Sequence, residues 1–141
     1  MSTDEGAERI ASRHFRAGWW ALGVYLLLGL VLEGLHATKA GFYLDVGSEA
    51  RRLLLRLAHA HGTLLALVNV AFAATARARP ESASPFASAC LLAALVLLPG
   101  GFLLGGLWAR SGGDPGLGAA LVPVGAIALG LGVFAIARRI G

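Results

Sequence analysis

The stretch RRLLLRLAHAHGTLLALVNVAFA, from Arg51 to Ala73, carries arginine, histidine and asparagine side chains within a long apolar run. At 1.5 Å per residue, a helix of about 20 residues crosses a hydrocarbon core of about 30 Å. The run is therefore long enough to span a membrane. Two further segments, Phe86 to Ala109 and Gly116 to Ala137, contain no Asp, Glu, Lys or Arg, and we interpret them in the same way.

The composition of the whole chain agrees with a membrane protein. Of its 141 residues, 57% are hydrophobic and 14% are charged, whereas soluble domains average about 25% charged residues. The net charge of +4 does not indicate a nucleic-acid partner, because the basic residues are distributed among the ends of the apolar segments. The single cysteine, Cys90, excludes an intrachain disulfide and a cysteine-based metal site.

These patterns predict an all-α fold, an integral membrane four-helix bundle with up-down-up-down topology. We expect an N-terminal tail at 1–16 and one transmembrane domain at 17–141, with spans at about 17–38, 49–76, 86–109 and 116–137. The first span is expected to be a retained helix, because its apolar core exceeds the 7–15 residues of a signal peptide. Ser48 and Asp114 are expected to cap the second and fourth helices.

The distribution of basic residues predicts the orientation. Seven of the twelve Lys and Arg residues lie in the N-terminal tail, the second link and the C-terminus. The positive-inside rule therefore favours cytoplasmic N- and C-termini. The small size and the Ala-, Gly- and Arg-rich composition favour a bacterial-type inner membrane, with the lipid bilayer as the first partner.

Polar side chains of the first two spans are expected to gather near the outer surface. Glu33 and His36 are three residues apart and share one face of the first helix, and His59 falls at a similar depth on the second. The second helix also carries supporting polar residues on or beside the face of His59, namely Arg52, Arg56, Thr63 and Asn69.

Two interpretations of this cluster are open. In the first, Glu33 pairs with Arg56 or His59 and ties the two helices together. In the second, Glu33, His36 and His59 form a mononuclear transition-metal site, since a carboxylate and two imidazoles suit such an ion. A di-iron site is not expected, because the third and fourth spans offer no carboxylates.

His61 raises a separate question, since residues two apart on a helix point about 200° from one another. His61 therefore falls on an apolar face that is expected to look toward lipid or another subunit. The segment AHGTL, Ala60 to Leu64, resembles the haem-ligand helix of haem–copper oxidase subunit I, which implies that His61 is an axial haem ligand. The resemblance covers five residues, and the other histidine-bearing helices of that family have no counterpart here.

The third and fourth spans combine proline with glycine. A proline inside a helix predicts a kink, and glycines four residues apart allow a neighbouring backbone to approach closely. The residues concerned are Pro99, Gly100, Gly101 and Gly105 in the third span, and Pro123 and Gly125 in the fourth.

No catalytic motif of soluble enzymes occurs in the chain, so an enzymatic activity is not expected. The leading hypothesis is a non-catalytic membrane subunit that forms a homo-oligomer or belongs to a larger membrane complex, with its polar layer near the outer face. The alternative is a metal- or haem-binding redox protein that uses Glu33, His36, His59 and His61. A small-solute carrier ranks third, because the interior lacks a polar lining.

Overall fold

The computed structural model describes residues 3–44, 47, 49–109 and 115–141. Every regular element in this part of the chain is helical. Four helices are long and apolar enough to cross a membrane, which confirms the predicted all-α fold with four long apolar helices. The predicted caps Ser48 and Asp114 lie outside the described residues.

The helices follow one another with short connections. In chain order they are α1 (Thr3–Ala37), the short α2 (Gly41–Leu44), α3 (Glu49–Ala78), α4 (Pro85–Leu107) and α5 (Leu121–Ile140). Turns of 3-10 helix at Pro80–Ser82 and Leu117–Ala120 precede α4 and α5. Helix α1 begins well before the predicted span at 17–38, so the segment predicted as a tail is helical from Thr3.

Local chemistry explains where α1 ends and α4 begins. Lys39 adopts a left-handed conformation with φ of 52°, and the amide of Ala40 donates to the Leu35 carbonyl at 3.0 Å. This is the hydrogen bond of a Schellman motif, which terminates a helix. At the start of α4, the Ser84 hydroxyl accepts from the amide of Ala87 at 3.0 Å, and Pro85 occupies the first turn, where its missing N–H costs nothing.

Consecutive long helices run antiparallel and pack in a row, in which α1 also touches α4. A Cβ built on Gly18 would meet Val70, and one on Gly29 would meet His59, so α1 and α3 run in opposite directions. The described residues of α1 and α5 have no Cα atoms within 8 Å of each other, and the same holds for α3 and α5. In the most apolar windows of α1 and α5 only 11% of residues are buried, against 39% in α3 and 44% in α4. The helices at the edges of the row are thus largely uncovered.

Glycines allow the helices of the row to approach closely. A Cβ on Gly62 of α3 would collide with the ring of Tyr25 in α1, and the hydroxyl of that tyrosine donates to the Leu95 carbonyl of α4 at 3.0 Å. Between α4 and α5, a Cβ on Gly125 would lie 2.6 Å from the backbone nitrogen of Leu98.

The predicted kinks remain predictions. Helix α4 continues as α-helix through Pro99. Pro123 is the third residue of α5, within the first turn, where a backbone N–H has no partner inside the helix.

We expect Gly101→Ala to destabilise the protein and Gly100→Ala to leave it unchanged or slightly more stable. A Cβ on Gly101 would lie 2.9 Å from the backbone nitrogen of Val122 in α5, whereas one on Gly100 meets nothing within 4 Å. Overpacking of this kind costs about 1–3 kcal/mol. Thermal unfolding in detergent, compared for the two adjacent variants, measures the difference; equal midpoints would contradict the α4–α5 contact.

Candidate functional site

The polar residues predicted near the outer surface line one groove between α1 and α3. Its volume is about 830 Å³. Glu33 and His36 of α1 line it together with Arg52, Arg56 and His59 of α3. The structure therefore places these five residues around the same space.

Within this groove, His59 bonds to the backbone of the neighbouring helix. Its Nδ1 lies 2.7 Å from the Tyr25 carbonyl oxygen; because a carbonyl only accepts, Nδ1 carries the proton. The ring lies against Gly29, where a Cβ would come within 2.5 Å of His59 Cε1. His59 thus joins α3 to α1 through a carbonyl group and not through a carboxylate.

The ion pairs considered for Glu33 are not present among the described residues. Glu33 and His36 are exposed, and Glu33 lies within 4.0 Å of neither Arg56 nor His59. Arg52 instead donates to the Tyr43 carbonyl at 3.3 Å. No three His, Cys, Asp or Glu residues in the described ranges form a group that could hold a metal ion.

His61 faces α4, the other neighbour of α3. Its ring packs on Phe102, with centroids 4.9 Å apart, and its Nδ1 donates to the Leu57 carbonyl at 2.9 Å. The part of the expected lipid- or subunit-facing surface that carries His61 is therefore covered by α4 of the same chain, while Leu64 beside it stays exposed. Because α3 lies between two helices, the roughly 200° separation of the two histidines directs one to each neighbour.

A second polar cluster joins α1, α3 and α4 near the opposite end of these helices from the groove of Glu33 and His59. His14 of α1, Asn69 of α3 and Ser88 of α4 are fully buried. His14 Nδ1 lies 2.6 Å from Asn69 Oδ1, and His14 Nε2 lies 2.7 Å from Ser88 Oγ. Phe72 packs against the same imidazole in an edge-on arrangement, with centroids 4.7 Å apart.

The hydrogen bonds around His14 place a proton on its Nδ1. The Asn69 amide donates its Nδ2 hydrogen to the Leu65 carbonyl at 2.8 Å, so its Oδ1 faces His14 and accepts from Nδ1–H. Nε2 shares a hydrogen bond with the Ser88 hydroxyl, whose oxygen accepts from the guanidinium of Arg13. Each of the three side chains in this buried cluster thus has a hydrogen-bond partner, as burial requires.

Sequence reasoning missed His14 because it was assigned to a tail outside the membrane. Helix α1 starts at Thr3, and its buried residues Ala7, Ala11, His14 and Gly18 alternate at spacings of four and three. That spacing is the stripe of a helix packed against a neighbour. It is visible in the sequence and would have placed His14 on the contact face. Asn69 was expected among the polar residues of the second span, but its hydrogen bond to His14 was not predicted.

Of the remaining predicted residues, Thr63 lacks a hydrogen-bond partner for its hydroxyl in the described part of the chain, and the glycines allow close helix contacts. Thr63 is half-buried, and its hydroxyl has no hydrogen-bond partner among the described residues. Cβ atoms on Gly101 and Gly105 would contact the start of α5 and the turn before it.

Comparisons of this chain with family models, with curated proteins and with solved structures found no match.

We expect His14→Ala to destabilise the protein, because it leaves Asn69 and Ser88 without their buried partner. Each unsatisfied buried group costs about 1–3 kcal/mol. Glu33→Ala is the matched control, since this exposed carboxylate has no cation within 4.0 Å among the described residues, and we expect a change within about 0.5 kcal/mol. Thermal unfolding in detergent compares the variants. A larger loss for Glu33→Ala than for His14→Ala would show that the outer groove, and not the buried cluster, fastens the helices.

Proposed function

We propose that this chain is an integral membrane protein whose four long helices each cross the bilayer. The support is the length and polarity of the helices: α4 has 23 residues and a mean hydropathy of 2.2 in its most apolar window. At 1.5 Å per residue it extends about 35 Å, which matches a hydrocarbon core of about 30 Å. Large apolar side chains are also exposed along the outer faces of α1 and α5. Their contact with water would be unfavourable, whereas contact with lipid chains would not be.

We propose further that both termini lie in the cytoplasm and that the membrane is a bacterial-type inner membrane. The antiparallel order supports the first part, because Arg139 near the C-terminus donates to the Glu81 carbonyl at 3.3 Å and Arg77 bonds to Glu8 of α1 at 3.0 Å. The two ends and the second link thus share one side. That side carries the larger number of arginines, as the positive-inside rule requires of a cytoplasmic surface.

The role that fits this arrangement best is that of a non-catalytic subunit that associates with a second copy or with a larger membrane complex. The observation that carries it is the uncovered edge of the row at α5. Four large apolar residues on this helix are exposed and follow spacings of three, four and three: Val124, Ile127, Leu131 and Phe134. Such a stripe is typical of a helix that packs against another helix.

Small residues on the same edge support close association. Ala126 and Gly130 are four residues apart and exposed, and a Cβ on Gly130 would meet nothing within 4 Å. Small residues at this spacing allow transmembrane helices to approach closely. Contacts within the chain explain why residue 125 must lack a side chain, because a Cβ there would meet Leu98. They do not explain the glycine at position 130.

The alternative, a metal- or haem-binding redox protein, gains no support from the side chains. The described residues offer no group of three metal ligands. The imidazole of His61 packs against Phe102 of α4.

Membrane insertion is tested by extraction of membranes that contain the full chain. We expect the protein to stay in the pellet after an alkaline carbonate wash and to be released by detergent, because the apolar surface of four spanning helices cannot enter water. A peripheral protein of the same membranes, released by carbonate, is the control. Release of this chain together with that control would contradict the proposal.

Self-association is tested with Gly130→Leu on α5 and Gly23→Leu on α1, both at exposed glycines whose added Cβ meets nothing within 4 Å. We expect the wild-type protein in lipid nanodiscs to be oligomeric by subunit counting. Gly130→Leu should shift it to monomers, since the leucine holds the two backbones apart, while Gly23→Leu should not. A monomeric wild type would leave only the larger-complex form of the proposal, and dissociation by both variants would contradict the α5 interface.

A further inference from the structure

A wide groove lies at the end of the molecule that carries both the start of α1 and the end of α5. It has a volume of about 1670 Å³ and lies between the first turns of α1, the link before α4 and the last turn of α5. Helices α1 and α5 both lie close to the Pro80–Ser82 turn, but their described residues have no Cα atoms within 8 Å of each other. The groove is therefore the space that this turn holds open between the two edge helices.

Three arginines line this groove without a carboxylate partner among the described residues. The guanidinium of Arg13 donates to the Ser88 hydroxyl, and that of Arg139 donates to the Glu81 carbonyl at 3.3 Å. Both acceptors are neutral, so they hold the guanidinium in place without neutralising its charge. Arg16, three residues after Arg13, has no carboxylate within 4.0 Å in the same ranges.

The carboxylates near the groove do not cancel this charge. Glu8 is bonded to Arg77 at 3.0 and 3.3 Å, and Glu81 lies 4.0 Å from Arg79. Glu5 and Arg9 also line the groove and contribute one charge of each sign. The excess that remains is positive and comes from Arg13, Arg16 and Arg139.

The donor geometry suits a phosphate group. A guanidinium has five N–H donors in a planar fork, and Arg13 and Arg139 each use only part of this capacity on the protein. Arginine binds phosphate through two parallel N–H···O bonds, which are short and strong because both partners are charged. Two guanidinium groups that are already oriented lose less conformational entropy when they bind an anion.

The apolar walls and the position of the groove distinguish a lipid from a soluble anion. Ala7, Ile10, Pro80, Ala83 and Pro85 line it beside the arginines. These residues come just before the predicted first span at 17–38 and at the start of α4, which is the level of the headgroups if the four helices cross the bilayer. Basic pockets between helices on the cytoplasmic side are suited to anionic lipid headgroups.

We infer that this groove binds the phosphate headgroup of an anionic phospholipid on the cytoplasmic side of the membrane. Arg13, Arg16 and Arg139 contact the phosphodiester, and the alanine, isoleucine and proline side chains contact the glycerol and the first methylene groups. The inference rests on the proposed membrane insertion.

The test compares phosphatidylglycerol with phosphatidylcholine, added to the full chain in a neutral detergent. Thermal unfolding and native mass spectrometry report stabilisation and the number of retained lipids. We expect wild-type protein to retain phosphatidylglycerol in preference to phosphatidylcholine, and salt to weaken that preference. In Arg16→Gln/Arg139→Gln the preference should fall about thirtyfold, because each basic residue near an anionic headgroup contributes about fivefold.

The control variant is Lys39→Gln/Arg138→Gln, which removes the same charge from residues that do not line the groove. We expect it to keep the preference of the wild type. Equal losses in both double variants would assign the effect to overall charge and overturn the inference. No preference in the wild type would overturn it as well.

A third arm uses inorganic phosphate in place of lipid. Stabilisation by phosphate equal to that by phosphatidylglycerol would overturn the lipid assignment in favour of a soluble anion. The carbonate extraction separates the two proposals: a chain that stays in the membrane without lipid preference refutes only the present inference, whereas release by carbonate refutes the membrane proposal on which it rests.

Discussion

Helices that lie in lipid gain nothing by removing apolar side chains from water, so close packing and internal hydrogen bonds decide how they are arranged. We propose that this chain lies in a bilayer. The side chain whose hydrogen bonds connect the most helices is that of His14. This imidazole contacts Asn69 of α3 and Ser88 of α4, and so joins three of the four long helices. Glycines complete the arrangement, because Gly62 admits the ring of Tyr25 and Gly125 admits the backbone of α4.

The four long helices could be predicted from the sequence because hydropathy and charge are properties of single segments. The start of α1 was missed because the prediction relied on charge, which marks the expected edge of the hydrocarbon and not the end of the helix. Residues 3–16 remain helical, since Ala7, Ala11 and His14 continue the buried stripe of the spanning segment. A closed bundle was the natural expectation for four helices of similar length; the row depends on contacts between helices that no single segment encodes.

The outer polar cluster was predicted as a set, but its contacts were not. Depth follows from position along the helices, so Glu33, His36 and His59 do line one groove. The choice of partner depends on which competing acceptor lies nearer, and for His59 the Tyr25 carbonyl replaces the carboxylate of Glu33. The direction of His61 could not be predicted either, because the helical wheel assumed one protein-facing side, whereas α3 has two.

The open row connects the two proposed surfaces. If α1 and α5 packed against each other, the bundle would close, the apolar stripe on α5 would lose its exposure, and the space above the Pro80–Ser82 turn would be filled. Because they stay apart, one edge remains for the proposed second copy and one basic groove remains for the proposed headgroup. The two surfaces use different parts of α5: the stripe runs from Val124 to Phe134, whereas Arg139 alone reaches the groove. We therefore expect a copy seated on α5 to leave the arginines accessible, so the two proposals do not compete for the same residues.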